Sequence, residues 1–154
     1  MPKPRASADE LRPGEVAVRA GAAREAQLYF IGRIMTPWAT RKECPRRGDL
    51  AGPICRIEVL EPWSAGLSGI EKHPYLQVLY WMHLSRRDLV LQSPRGQGTP
   101  RGTFALRSPV RPNPIASSVV ALERVEGATL FVRGLDCVDG TPLVDIKPDR
   151  CPLA

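Results

Sequence analysis

Three clusters of polar residues in this chain have types and spacings that suit chemistry. The first is LDCVDGTPLVDIKP, where Asp136, Asp139, Asp145 and Lys147 stand close together around an Asp139-Gly140 turn. Carboxylates gathered in a strand-turn-strand context can take a proton from a substrate, hold a cationic ligand or pair with arginines. The second is RSPVRPNPIASS, with Arg107, Arg111 and Asn113 among Pro109, Pro112 and Pro114, and with Ser117 and Ser118 at its end. Proline fixes φ, has no N–H, and pushes the residue before it toward extended backbone. Two guanidiniums and a carboxamide are thus carried on a stiff segment with little conformational freedom left to lose when a ligand arrives. The third is TRKECPRRG, in which Arg41, Lys42, Arg46 and Arg47 form the densest basic patch, suited to an RNA backbone. Each also has a plainer reading: a hairpin turn, an ordered loop whose arginines meet nearby acids, and a solvated surface loop.

The composition fits a nucleic-acid partner without requiring one. In 154 residues, 22 Lys and Arg oppose 16 Asp and Glu, a net charge of +6, and arginine suits phosphate and stacked bases better than lysine. Cys44, Cys55, Cys137 and Cys151 form no CxxC pair, and His73 and His83 are the two histidines, so no metal site is expected. Reduced, mostly structural thiols in a cytoplasmic protein are the expectation. The longest apolar run, YLQVLYWMHL, is too short to span a bilayer, and the first fifteen residues lack the apolar stretch of a secretory signal.

These clusters need elements to hold them, and the pattern is β. Residues 1–26 read as a partly flexible extension with one short strand at EVAVRA, and 27–154 as one domain. QLYFIGRIM, ICRIEVLEP, YLQVLYWMHL, RRDLVLQ, TFALR, SSVVALERV, ATLFVRGLD and LVDIKP read as strands. YLQVLYWMHL is apolar on both faces and therefore central. Glu126-Gly127 reads as a tight hairpin, and LSGIE as a short turn. No long amphipathic helix is evident, so the fold class is mostly β, a single small barrel or sandwich. GQGTPRG is not a dinucleotide fingerprint, because its last glycine is one place late and a strand follows it. DCVDG lacks the spacing of a calcium loop.

With these segments in hand, a family likeness appears. GTFALRSPVRPNPIASS and DGTPLVDIKP resemble two signatures of the TsaA-like (TrmO or YaeB-like) methyltransferases, and GIEKHPYLQVLYWMH and CPRRG resemble two more, in order, from about Phe30 to Pro148. The resemblance implies a small β-barrel that binds S-adenosyl-L-methionine without a Rossmann fold, usually as a homodimer. It implies methylation of the exocyclic amine of threonylcarbamoyl-adenosine beside the tRNA anticodon. Carried over by position, cofactor contacts fall on Pro45, Arg46, Arg47, His83, Leu84, Arg107, Ser117, Gly134, Leu135 and Asp136. Arg111, Asn113, Asp139, Asp145 and Lys147 match polar positions typical of the family without assigned roles. The residues themselves place nucleic-acid contacts on Arg111, Asn113, Lys147, Arg41 and Lys42, and a proton acceptor on Asp139 or Asp136. The chain departs from the pattern at Arg47, Tyr75, Ala116 and Asp149. A noncatalytic module that binds S-adenosylmethionine or RNA, and a methyltransferase for another substrate, are the alternatives.

Overall fold

The computed structural model describes residues 10–19, 26–94 and 98–150. Parts of the expected N-terminal extension (1–9 and 20–25) and Cys151 lie outside the described residues. Nine strands are described: β1 Val16–Ala17, β2 Gly32–Met35, β3 Cys55–Val59, β4 Tyr75–Trp81, β5 Leu89–Gln92, β6 Arg101–Gly102, β7 Ile115–Glu126, β8 Thr129–Arg133 and β9 Thr141–Pro148. The chain divides into two compact units, one of Met1–Ala26 with Leu84–Pro114, the other of Gln27–His83 with Ile115–Ala154. The sequence reading put 27–154 in one domain; the unit that holds the barrel omits 84–114.

Period-two alternation builds the larger unit. Cys55, Ile57 and Val59 of β3 face inward, as do Leu76, Val78 and Tyr80 of β4, Leu130 and Val132 of β8, and Leu143 of β9, and all are buried. Their neighbours Arg56, Glu58, Gln77 and Lys147 remain at least partly accessible. A sheet with one such apolar face must cover it, and here it curls on itself. Strands β2-β3-β8-β7-β4-β9 close into an antiparallel barrel, which leaves no unpaired edge in that ring. β4 lies between β7 and β9, as every strand of a closed ring lies between two neighbours. Its outward residues are at most half-buried, so the expected central strand with two buried faces is instead one barrel stave among six. The β7–β8 hairpin turns through Gly127, whose φ of 58° is the left-handed conformation that favours glycine.

The smaller unit is a three-stranded sheet in the order β1-β5-β6. Here the expected strand at TFALR is instead a 3-10 turn, Thr103–Ala105. A buried polar pair forces the bend: Gln92 Nε2 donates to Thr103 Oγ1 at 2.9 Å, and Thr103 Oγ1 donates to Leu89 O at 2.7 Å. Hydroxyls that bond nearby backbone compete with a ladder in this way. Likewise QLYFIGRIM is extended in a ladder only over Gly32–Met35; Tyr29 and Phe30 before it are exposed.

Candidate functional site

Antiparallel pairing decides which loops meet. Because each barrel strand runs opposite to its neighbours, the ends of β2, β4 and β8 and the starts of β3, β7 and β9 all lie at one end of the barrel. That end collects residues 36–54, 82–83 and 134–140 and the first residues of β7. It therefore gathers Arg41, Lys42, Pro45, Arg46, Arg47, His83, Gly134, Leu135, Asp136 and Asp139, with Ser117 close by on β7.

Two backbone segments at this end are in direct contact. A Cβ on Gly48 would lie 1.7 Å from Gly134 O, so only glycine permits the approach. Gly134 itself has φ 116°. The loop carrying Pro45, Arg46 and Arg47 is thereby pinned beside the turn carrying Gly134, Leu135 and Asp136. Arg46 and Arg47 are exposed there. The Cys44 thiol is pushed up from its ordinary range by burial and then by the Asp136 charge, which puts this loop within electrostatic reach of Asp136.

Inside the barrel end lies a polar group the sequence reading missed. Tyr80 is 2 % exposed, and its Oη donates to Asp136 Oδ1 at 2.7 Å and is 2.7 Å from Ser118 Oγ. Burial, and then the Asp136 charge, push the Tyr80 phenol far above its ordinary range, so it stays a neutral donor. A buried tyrosine hydroxyl needs partners, and these two supply them. The signal was present in YLQVLYWMHL: of the inward positions 76, 78 and 80, only the last carries a polar tip.

Ser117 sits differently. Adjacent strand residues face opposite ways, so Ser118 points in with Tyr80 while Ser117 lies on the outer face, its Oγ accepting from Gln77 Nε2 at 3.0 Å. Asp145 and Lys147 share that outer face and pair at 2.7 Å. Asp139 is engaged in the turn after β2: Thr36 N donates to its Oδ1 at 3.0 Å and its own N–H donates to Trp38 O at 2.7 Å.

The remaining residues belong to the smaller unit. Arg111 Nη1 donates to Leu106 O and Ser108 O, both at 2.8 Å, so this guanidinium braces its own loop. Arg87 Nε donates to Pro112 O at 2.6 Å and its Nη2 reaches Asn113 Oδ1 at 3.4 Å. The arginines of the proline loop were expected to meet acids or a ligand; Arg111 instead meets carbonyls. Arg107 and Leu84 are exposed.

Comparison with known proteins decides the family. Residues 33–150 match the model of the tRNA-methyltransferase O N-terminal domain. The chain belongs to that family. Within the TrmO family it is 54 % identical, over 94 % of its length and 84 % of the other's, to the probable S-adenosyl-L-methionine-binding protein VirR of Rhizobium radiobacter. It is 39 % identical over 53 % of its length to a mouse tRNA (adenine(37)-N6)-methyltransferase, of which it covers 20 %. A crystal structure of TrmO from Pseudomonas aeruginosa superposes with a TM-score of 0.66 at 32 % identity, over 82 % of this chain. The chain spans 56 % of that TrmO chain.

Proposed function

We propose that the chain is an S-adenosylmethionine-dependent methyltransferase acting on tRNA, with the exocyclic amine of threonylcarbamoyl-adenosine next to the anticodon as acceptor. The observation that carries the reading is the barrel end itself, where a carboxylate oriented by a buried tyrosine adjoins a basic loop. The donor set suits the cofactor. Arg46 and Arg47 can meet the carboxylate of its methionyl part, and the close Gly48–Gly134 packing holds their loop beside the 134–136 turn. His83 completes the set at the barrel end; Leu84 and Arg107 belong to the smaller unit, and Ser117 faces outward with Gln77.

S-adenosylmethionine supplies a methyl group already activated as a sulfonium, so transfer asks of the protein alignment and removal of one proton. Holding reactants in line can contribute about 7–11 kcal/mol. Asp136 is the proton acceptor in this reading: Tyr80 fixes Oδ1 and leaves Oδ2 to take the amine proton, a contribution of roughly 100- to 10,000-fold. Asp139, the other candidate, has Oδ1 committed to Thr36 N and serves the turn. Arg41 and Lys42 are assigned to the tRNA backbone in this reading, whereas Lys147, paired with Asp145 near the far end of β9, is not; the protein acts in the cytoplasm as a homodimer.

A labelled-methyl assay tests this. Threonylcarbamoylated tRNA should gain label and unmodified tRNA should not, and Asp136→Asn should lose at least a hundredfold in rate while still binding cofactor by calorimetry. Label in neither tRNA, with cofactor bound normally, would overturn the transferase reading. It would favour the second reading, a noncatalytic S-adenosylmethionine-binding protein, which the name of the VirR relative supports.

A further inference from the structure

Most of the chain's excess positive charge sits in one segment. Residues 84–114 contain six arginines against a single aspartate, and no lysine or glutamate, in a chain whose net charge is +6. The one acid, Asp88, is taken by Arg86 through two bonds of 2.7 and 2.9 Å. On this cationic segment stands Phe104, 81 % exposed, the most exposed large apolar side chain among the described residues.

The exposure is built rather than incidental. Thr103 is buried and anchored on both sides by Gln92 and Leu89 O, and Leu106 N closes the turn on Thr103 O at 3.2 Å. With its neighbour held inward and the backbone in a 3-10 turn, Phe104 stands outward on a fixed base. Arg101 and Arg107, both exposed, lie three residues to either side, so their Cα atoms are within about 11 Å of that of Phe104 whatever the path between.

We propose that Phe104, with Arg101 and Arg107 around it, is a stacking platform for an unpaired RNA base. Aromatic faces set among cationic side chains bind single-stranded nucleic acid through stacking plus phosphate contact. Phe and Arg are also enriched at protein interfaces, so the choice of RNA rests on the charge of the segment, six arginines against one aspartate, which complements a polyanion. The platform belongs to the smaller unit, and the proposal rests on the transferase reading, which it deepens by naming a side chain that holds an unpaired base of the RNA.

The test is fluorescence anisotropy of full-length protein with a labelled unstructured RNA 12-mer and with an anticodon stem-loop, across a salt series. Phe104→Ala should weaken binding of both by about 5- to 150-fold, the range for one stacked base, and Phe104→Trp should restore it. Arg101→Ala should reduce the salt slope by about one phosphate contact. Circular dichroism should show all variants folded, since neither side chain is buried. Unchanged affinity in Phe104→Ala overturns the proposal. So does a loss that Trp fails to restore, or a change in self-association by sedimentation with RNA binding intact, which would make Phe104 a protein contact. Failure of methyl transfer by wild type with this RNA pattern intact would sink the transferase reading alone.

Discussion

Tyr80 Oη lies 2.7 Å from Asp136 Oδ1, joining the inward face of β4 to the turn that follows β8. The bond fixes the direction of a carboxylate on an otherwise irregular segment. A rigid strand thus orients a reactive group carried by a loop, the arrangement that precise positioning requires.

Tyr80→Phe keeps the ring and removes that bond. The expected outcome is a fall in kcat of about 10- to 100-fold with KM for S-adenosylmethionine little changed, because Asp136 is misdirected and the cofactor contacts assigned elsewhere remain. Unfolding should show a loss of about 1–3 kcal/mol, since Ser118 Oγ and Asp136 Oδ1 lose a buried partner. A purely structural role would give the stability loss without the kcat effect, and steady-state kinetics beside denaturant melts separates the two.

Gly48→Ala should separate the basic loop from the 134–136 turn. The added Cβ meets Gly134 O at 1.7 Å, backbone against backbone, so neither side chain rotation nor a small shift relieves it. Overpacking of this kind costs about 1–3 kcal/mol, and the displaced loop should weaken S-adenosylmethionine binding. Gly66→Ala, where a Cβ meets nothing within 4 Å, is the control and should leave calorimetric affinity unchanged.

Stability should fall in alkali. Burial pushes the Cys55 thiol up to about 11 and the Cys137 thiol up to about 12. A thiol whose folded value is raised releases its proton first in the unfolded chain, so its stabilising contribution is whole below the unfolded value of about 8.5. It is then lost as pH rises through the folded value. The urea midpoint should therefore be level from pH 7 to 8 and decline from about pH 9 to 11. Cys137→Ser, which removes one titrating group, should flatten part of that decline.

How much of this was readable beforehand depends on the kind of signal. Alternation in CRIEV marked β3 because burial on one face imposes a period of two, and the continuous apolar run YLQVLYWMHL marked β4. TFALR carried the same local texture, yet Thr103 is captured by Gln92 across the sheet and the segment bends. That partner is eleven residues away, beyond any local pattern. The gathering of 45–47 with 134–136 followed from matching family motifs; its physical cause, the Gly48–Gly134 contact, is a tertiary approach no spacing reveals. Ser117 was assigned where Ser118 faces Asp136's partner, because the one-residue phase of β7 is set by its pairing with β4.

Arg111 was expected to reach a nucleic acid, and its bonds predict a different phenotype. Nη1 spans Leu106 O and Ser108 O, so the guanidinium closes a loop that Pro109, Pro112 and Pro114 already stiffen. Arg111→Ala should therefore loosen residues 106–110, read as faster amide exchange there, with a stability loss of about 1–3 kcal/mol from orphaned carbonyls if water does not replace the donor. The salt dependence of RNA binding should keep its slope, because no phosphate contact is removed. Arg111→Lys carries the charge but offers a single point donor in place of a planar fork, so it should restore little of the protection. A slope that drops by one phosphate contact in Arg111→Ala, with exchange at 106–110 unchanged, would instead assign this arginine to the RNA.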